Sequence, residues 1–273
     1  MSRPVSLSGM SFEEYAALPG VNFSTLKDMR RSPLHYHHRL TTPRDDTPRM
    51  GMGRAVHTAV LEPDRFMLEY AVWSGPRRAG KDYEAFVLAN PGRTILRVDE
   101  YERCLAIRDA VRADKDARRV LRRGKPEIVL KWIDPETRLR CKARLDWLDR
   151  GALTDVKTTA DIDAFTFGRL AGRMAYHAQL AFYRAGLDAL GHPDAPVRIL
   201  AVEAEPPHDV GVFRLPDEAL DAGRDLVDEL LAKVRRHRRA RRWPGRYSGE
   251  QVLELAPWDL TDSDDELELV GLK

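Results

Sequence analysis

The most constraining feature of this chain is a change of hydrophobic period at residue 127. Residues 127–133 alternate, Asp134-Pro-Glu-Thr137 supplies a turn, and 138–148 alternate again. Asp149-Arg-Gly151 makes a second turn, and 152–157 form a third short alternating run. Three such runs joined by tight turns predict an antiparallel meander, whose apolar face must be buried by something else. Helical spacing on both sides supplies the cover, so the expected class is an α/β sandwich around a mixed sheet.

The flanking segments carry their own punctuation. Ser11-Phe-Glu-Glu14 has capping-box spacing, and a second helix is predicted from Ser24 to just before Pro33, with Leu26 and Met29 inward. Residues 41–48 read as an exposed loop, 50–61 as a helix ending at Glu62-Pro63, and 73–81 as a loop. Helices are expected over 82–90 and 99–123, then one long helix over 162–190, stopped by Gly191-His-Pro193. Strands follow at 197–205 and 210–215, and a basic amphipathic helix at 216–242. With no internal repeat, the expectation is one domain over 1–273. Its parts are a helical region (1–125), a sheet core (126–215), and a C-terminal helix with an acidic tail (216–273).

Charge is segregated although the net value is only +2. The stretch 112–125 holds seven basic residues against two acidic ones. A second block contains Lys233, Arg235, Arg236, Arg238, Arg239, Arg241 and Arg242, with His237 among them. From Asp259 the chain is acidic. Such blocks suit an anionic polymer partner, with the tail screening the basic surface, or a merely solvated helix face. Two cysteines, Cys104 and Cys141, are too few to hold an iron–sulfur cluster, so none is expected. No apolar run approaches the ~18 residues of a membrane span, and the first ten residues lack a secretory pattern, so a cytoplasmic protein with no membrane partner is expected.

Chemistry concentrates in Arg138-Leu-Arg-Cys-Lys-Ala-Arg-Leu-Asp-Trp-Leu148 and Asp155-Val-Lys157. Alternation sets Arg138, Arg140, Lys142, Arg144 and Asp146 on one strand face, and Asp155 with Lys157 on one face of the next strand. A hairpin would bring Asp146, Asp155 and Lys157 together. Two carboxylates bind a hard divalent cation, Mg²⁺ or Mn²⁺ rather than zinc, and a lysine beside them can position or deprotonate an attacking water. Taken alone, Asp-x-Lys is equally an exposed pair on an edge strand.

Its surroundings change that balance. Gly53-Arg-Ala-Val-His57 lies on an early helix, Asp146 stands nine residues before Asp155-Val-Lys-Thr-Thr159, and Tyr176-His-Ala-Gln179 with Tyr183 follows. Ser24-Thr-Leu-Lys27, Ser32-Pro33 and Tyr36 precede them. In this order the elements resemble the RecE-like and RecB-like branch of the PD-(D/E)XK nucleases, over about residues 23–183. The resemblance implies a restriction-endonuclease-like core with a central mixed sheet flanked by helices. It implies metal ligation by His57, Asp146, Asp155 and the Val156 carbonyl, with two ions in all. Lys157 would act on the attacking water, Glu127 at a second metal, and Gln179 and Tyr183 would contact DNA or brace the site. It further implies a 5′ to 3′ exonuclease acting on double-stranded DNA ends and leaving 3′ overhangs. Its partner would be a single-strand annealing protein, and its assembly a ring-shaped homo-oligomer.

Other readings stay open at this level. A nuclease for single strands or flaps, an endonuclease, or a catalytically silent DNA-binding module could share the fold. Arg144 and Lys142, on the Asp146 face, would meet a phosphate or simply neutralise the carboxylates. Trp147 should be core, and Trp73, in the 73–81 loop, is a candidate to stack at a DNA end. His35, His37 and His38 are expected at the surface.

Overall fold

The computed structural model describes residues 5–7, 9–42 and 47–256. The acidic tail and part of the expected 41–48 loop lie outside them. The chain opens with β1 (Val5–Leu7) and α1 (Phe12–Ala17). The expected capping box is present: Ser11 Oγ accepts from the Glu14 N–H, and the Glu14 carboxylate accepts from the Ser11 N–H. Helix α2 (Phe23–Leu26) runs into a 3₁₀ turn (Lys27–Arg30) that buries Leu26 and Met29. Helix α3 (Pro33–Thr41) goes beyond the sequence expectation; Ser32 caps it and Pro33 presets its first turn.

Helix α4 (Pro48–Leu61) stops at Glu62, but Pro63 opens a further helix, α5 (Pro63–Glu69), because proline suits a first helical position. Strands β2 (Tyr70–Trp73) and β3 (Thr94–Arg97) pair in parallel as a small separate sheet, with α6 (Lys81–Ala89) between them. The single helix expected over 99–123 is two, α7 (Val98–Ala113) and α8 (Lys115–Val120). Asp114 leaves helical geometry at ψ 134° and its carboxylate accepts from the Ala117 N–H, capping the second helix.

The meander forms as β4 (Lys125–Ile133), β5 (Arg140–Asp149) and β6 (Ala152–Thr159). Two helices follow, α9 (Ala164–Met174) and α10 (Tyr176–Ala189), instead of one over 162–190. The break is Ala175, left-handed at φ 57°, whose N–H still bonds to Ala171 and Gly172 carbonyls. No glycine or proline marks it, so local sequence gave no warning. Strands β7 (Val197–Glu203) and β8 (Val210–Arg214) and the long α11 (Asp217–Ala240) complete the chain.

The main sheet has six strands in the order β1-β4-β5-β6-β7-β8, parallel only between β6 and β7. One face carries Ile128, Leu130, Leu145 and Ile199 under α2, α10 and α11. The other carries Trp147, Val156, Leu200 and Val202 under α4, α7 and α8. The protein is thus the expected α/β sandwich around a mixed sheet. Each fully buried Leu or Ile contributes about 1.5–3 kcal/mol, so these two layers hold the sheet rigid beneath the site. Gly223 brings α11 against the start of α10, where a Cβ would lie 2.5 Å from the His177 carbonyl oxygen. Among the described residues no helix is long and apolar enough to cross a membrane.

Candidate active site

The site begins where β5 and β6 part. Their pairing covers only Trp147, Leu148 and Asp149 against Thr154, Leu153 and Ala152. The next pair in register is Asp146 with Asp155, and there the ladder stops. On the other side of β5, pairing of Pro126 with Trp147 and of Ile128 with Leu145 sets Glu127 opposite Asp146. Glu127 is left-handed, φ 54°, so β4 is irregular at that residue. Leu145 packs in one core layer and Trp147, two residues on, in the other. Strict alternation therefore fails at Asp146, and the strand irregularity turns its carboxylate into the gap.

That carboxylate closes the gap by accepting from the Val156 N–H at 2.7 Å. His57, delivered by α4, lies with Nδ1 3.6 Å from Asp146 Oδ2. Asp155 is 1 % exposed and its Oδ2 pairs with the Lys157 ammonium. The Lys157 ammonium also sits 4.9 Å from the Tyr176 ring centroid. From α10, Gln179 Nε2 donates to Asp155 Oδ1 at 3.3 Å and to the Tyr183 hydroxyl at 2.9 Å. The expected set of His57, Glu127, Asp146, Asp155, Val156, Lys157, Gln179 and Tyr183 is therefore gathered in one place. Gln179 and Tyr183 brace Asp155 here.

Electrostatics reflect too much buried negative charge. Burial, then the Asp146 charge, pushes Asp155 up to about 6 against the pull of Lys157. Burial and Asp146 push Glu127 up to about 8, although Arg144 opposes them. Burial drives Lys157 down, but the Asp155 and Asp146 charges outweigh it and leave its pKa raised. In the metal-free site Lys157 is thus a charged donor and not a base at neutral pH. Desolvation lowers His57, with Asp146 opposing, so its imidazole stays neutral and keeps a lone pair.

Lys142 and Trp73 are placed otherwise, and Arg144 takes one of the two arrangements expected of it. Lys142 is 3 % exposed, and its ammonium donates to the carbonyl oxygens of Tyr15, Ala16 and Leu18, tying off the end of α1. All three donors are used, so it does not face the site. Arg144 Nε pairs with Glu127 Oε2 at 2.6 Å and its guanidinium stacks over Phe12, which is the neutralising arrangement. Trp73 ends β2 instead of lying in the loop; its indole donates to the Arg77 carbonyl and packs against Tyr83 and Phe86. It lies folded over Gly75. Conversely, Tyr176 earns a place under Lys157 that the sequence reading did not give it. Its signal was spacing, three and seven residues before Gln179 and Tyr183 on one helix face.

The donors suit a hard divalent ion in kind: a buried and a half-buried carboxylate, a neutral imidazole and a backbone carbonyl. Asp155 Oδ2 is buried with the Lys157 ammonium as its partner, an oxygen that a cation would share. Among the described residues no group of three or more His, Cys, Asp or Glu side chains already stands at ligating distance. Lys157 now holds the oxygen that an ion would share.

A structural comparison finds the same fold, TM-score 0.64, in a crystal structure described as a "putative exonuclease" from Eubacterium rectale. The two are 14% identical, and the match covers 93% of this chain and 99% of that one. No curated protein matches the chain. Residues 22–253 match a family described as a PDDEXK-like domain of unknown function (DUF3799). By that match, over most of its length and across every site residue above, the chain belongs to this PDDEXK-like family.

Proposed function

We propose that the protein is a divalent-metal-dependent deoxyribonuclease that degrades linear duplex DNA from its ends. The observation that carries this reading is the meeting of Asp146, Asp155 and Lys157 at the parting strands. A silent binding module would have no use for a lysine held against a buried acid, whose burial opposes folding unless something offsets it. Asp146, Asp155, His57 and the Val156 carbonyl would hold Mg²⁺ or Mn²⁺, and Glu127 is the candidate contact to a second ion. A bound ion would supply Lewis-acid stabilisation of phosphate charge and lower the pKa of the attacking water.

The protein's own groups do the rest. Lys157 offers a charged hydrogen-bond donor to a phosphate oxygen or to the attacking water. Tyr176 limits where that ammonium can go. Gln179 and Tyr183 hold one oxygen of Asp155, leaving the other turned inward. Arg144 keeps Glu127 anchored beside Asp146. Attack from the 5′ end, a 3′ overhang, a ring-shaped oligomer and a strand-annealing partner rest on the resemblance to RecE-like enzymes.

The test is a gel assay on linear duplex labelled at either 5′ or 3′ ends, a closed circle and a single strand, with Mg²⁺ or EDTA. Metal-dependent loss of the linear duplex, 5′ label first and circle intact, is the expected result. Nicking of the circle would make the enzyme an endonuclease. Retained DNA with no cleavage under any metal would replace catalysis with binding.

A further inference from the structure

The Arg-rich end of α11 has no part in the site described above, yet the fold takes pains to place it. After Ala240 the chain turns through Arg241 in the left-handed region, φ 48°, and runs back over α3. Trp243 pins it there, stacked on His37 at 5.1 Å and tilted against Tyr36 and His237 at 5.6 and 6.0 Å. The Leu34 N–H donates to the Pro244 carbonyl at 3.0 Å, and Arg246 Nε donates to the Arg31 carbonyl at 3.2 Å. Arg238 reaches the Tyr36 hydroxyl at 3.3 Å.

What this brings together is positive charge without a counter-charge. Arg30, Arg31, Arg241 and Arg242 are exposed, and among the described residues none of them, nor Arg246, pairs with a carboxylate. Helix polarity explains part of the bias, since α11 begins with acids and ends with bases. It does not explain the arginines beyond the helix or those of the 3₁₀ turn. Held side by side, these groups repel one another, and among the described residues no carboxylate pairs with them. On the opposite side of α11 an open cleft of ≈ 760 Å³ is lined by Asp134, Glu136 and Asp228 as well as arginines, and it lies away from the site. The face toward α3 is therefore the one that suits an anion.

This face also adjoins the site. Lys157 lies on Tyr176; the next residue, His177, is close enough to Arg30 to feel its charge; and Arg31 binds the 246 segment. We infer that the arginine surface formed by the 3₁₀ turn, the end of α11 and residues 241–246 is a track for the phosphodiester backbone of DNA, leading to or from the Asp146–Asp155–Lys157 site. This rests on the nuclease reading for its direction but not for its existence. Arginine guanidinium groups suit phosphate oxygens, and a row of them reads no base, so the track binds without sequence preference.

The test uses the full chain with Arg31, Arg241 and Arg242 changed together to alanine, and separately together to lysine. None of the three side chains belongs to the catalytic groups, and equal thermal melting of the variants and wild type will verify the fold. Anisotropy with a labelled linear duplex in EDTA reads binding. The alanine variant should bind at least about tenfold more weakly, with the slope of log K against log salt shallower by about 2–3, and lysine should restore most of both. On cleavable duplex with Mg²⁺, kcat should hold while KM rises. Unchanged affinity and salt slope in the alanine variant would overturn the track, whatever the activity. So would loss of binding confined to vesicles of phosphatidylcholine and phosphatidylserine. If the wild type cleaves no DNA, the nuclease reading fails, and the EDTA measurement still decides the track.

Discussion

At the residue scale, the site works by crowding. Asp146, Asp155 and Glu127 stand close together, two of them with raised pKa, and Lys157 and Arg144 are the local offsets. Replacing Lys157 with alanine removes the ammonium that pairs with Asp155. We expect cleavage to fall by about 10²–10³-fold while the stabilisation conferred by Mg²⁺ or Mn²⁺ persists; normal turnover would remove Lys157 from the mechanism. Glu127 gives a pH test without activity. Its pKa rises from the usual 4.5 to about 8 on folding, so the folded state holds its proton where the unfolded state has lost it. The stabilising contribution is complete below the unfolded value and disappears as pH rises through the folded one. The melting temperature of the EDTA-treated protein should therefore fall between about pH 5 and about pH 9, and Glu127→Gln should flatten that fall. Parallel profiles for the two proteins would show that Glu127 is not protonated in the fold.

At the scale of elements, position comes from the places where regular structure stops. The β5–β6 ladder ends at Asp146, the helix expected over 162–190 breaks at Ala175, and β4 turns left-handed at Glu127. Because α10 starts afresh at Tyr176, its Tyr176–Gln179–Tyr183 face meets Asp155 and Lys157. Helix α11 sets that start from behind, through Gly223 against His177. Gly223→Ala adds a methyl where backbone leaves no space, so we expect a loss of about 1–3 kcal/mol in urea unfolding. The loss should come with weaker catalysis, since the cheapest relief is a shift of α10. An unchanged midpoint would mean that the two helices can separate freely. Legibility follows the same division. Capping boxes, tight turns and alternation announced α1, the meander and α11, because those signals are local. The β2–β3 pair and the Ala175 break have no local signal, because each is stabilised by what packs on it, while the Pro63 signal that opens α5 reads equally as the end of α4.

At the scale of the whole molecule, a metal that binds the folded site and not the unfolded chain must stabilise the protein. At a hundredfold excess over its dissociation constant the gain is about 2.7 kcal/mol, roughly 5–10 °C in melting temperature for a chain of this size. We expect Mn²⁺ or Mg²⁺ to produce such a rise and Asp146→Asn with Asp155→Asn to abolish it; an equal rise in the double variant would place the ion elsewhere. The sequence by itself determined the fold class, the meander and the chemical identity of the central residues, because hydrophobic period and the order of Gly-x-x-x-His, Asp and Asp-x-Lys elements are properties of the chain. Tertiary structure alone decided what each charged side chain does. Alternation placed Lys142 and Arg144 beside Asp146, yet α1 takes all the Lys142 donors and Glu127 takes Arg144. Trp73 is committed to Tyr83 and Phe86. A side chain's partner is chosen by whatever the fold carries past it, and for these residues that neighbour lies on a different element of the chain or across a loop.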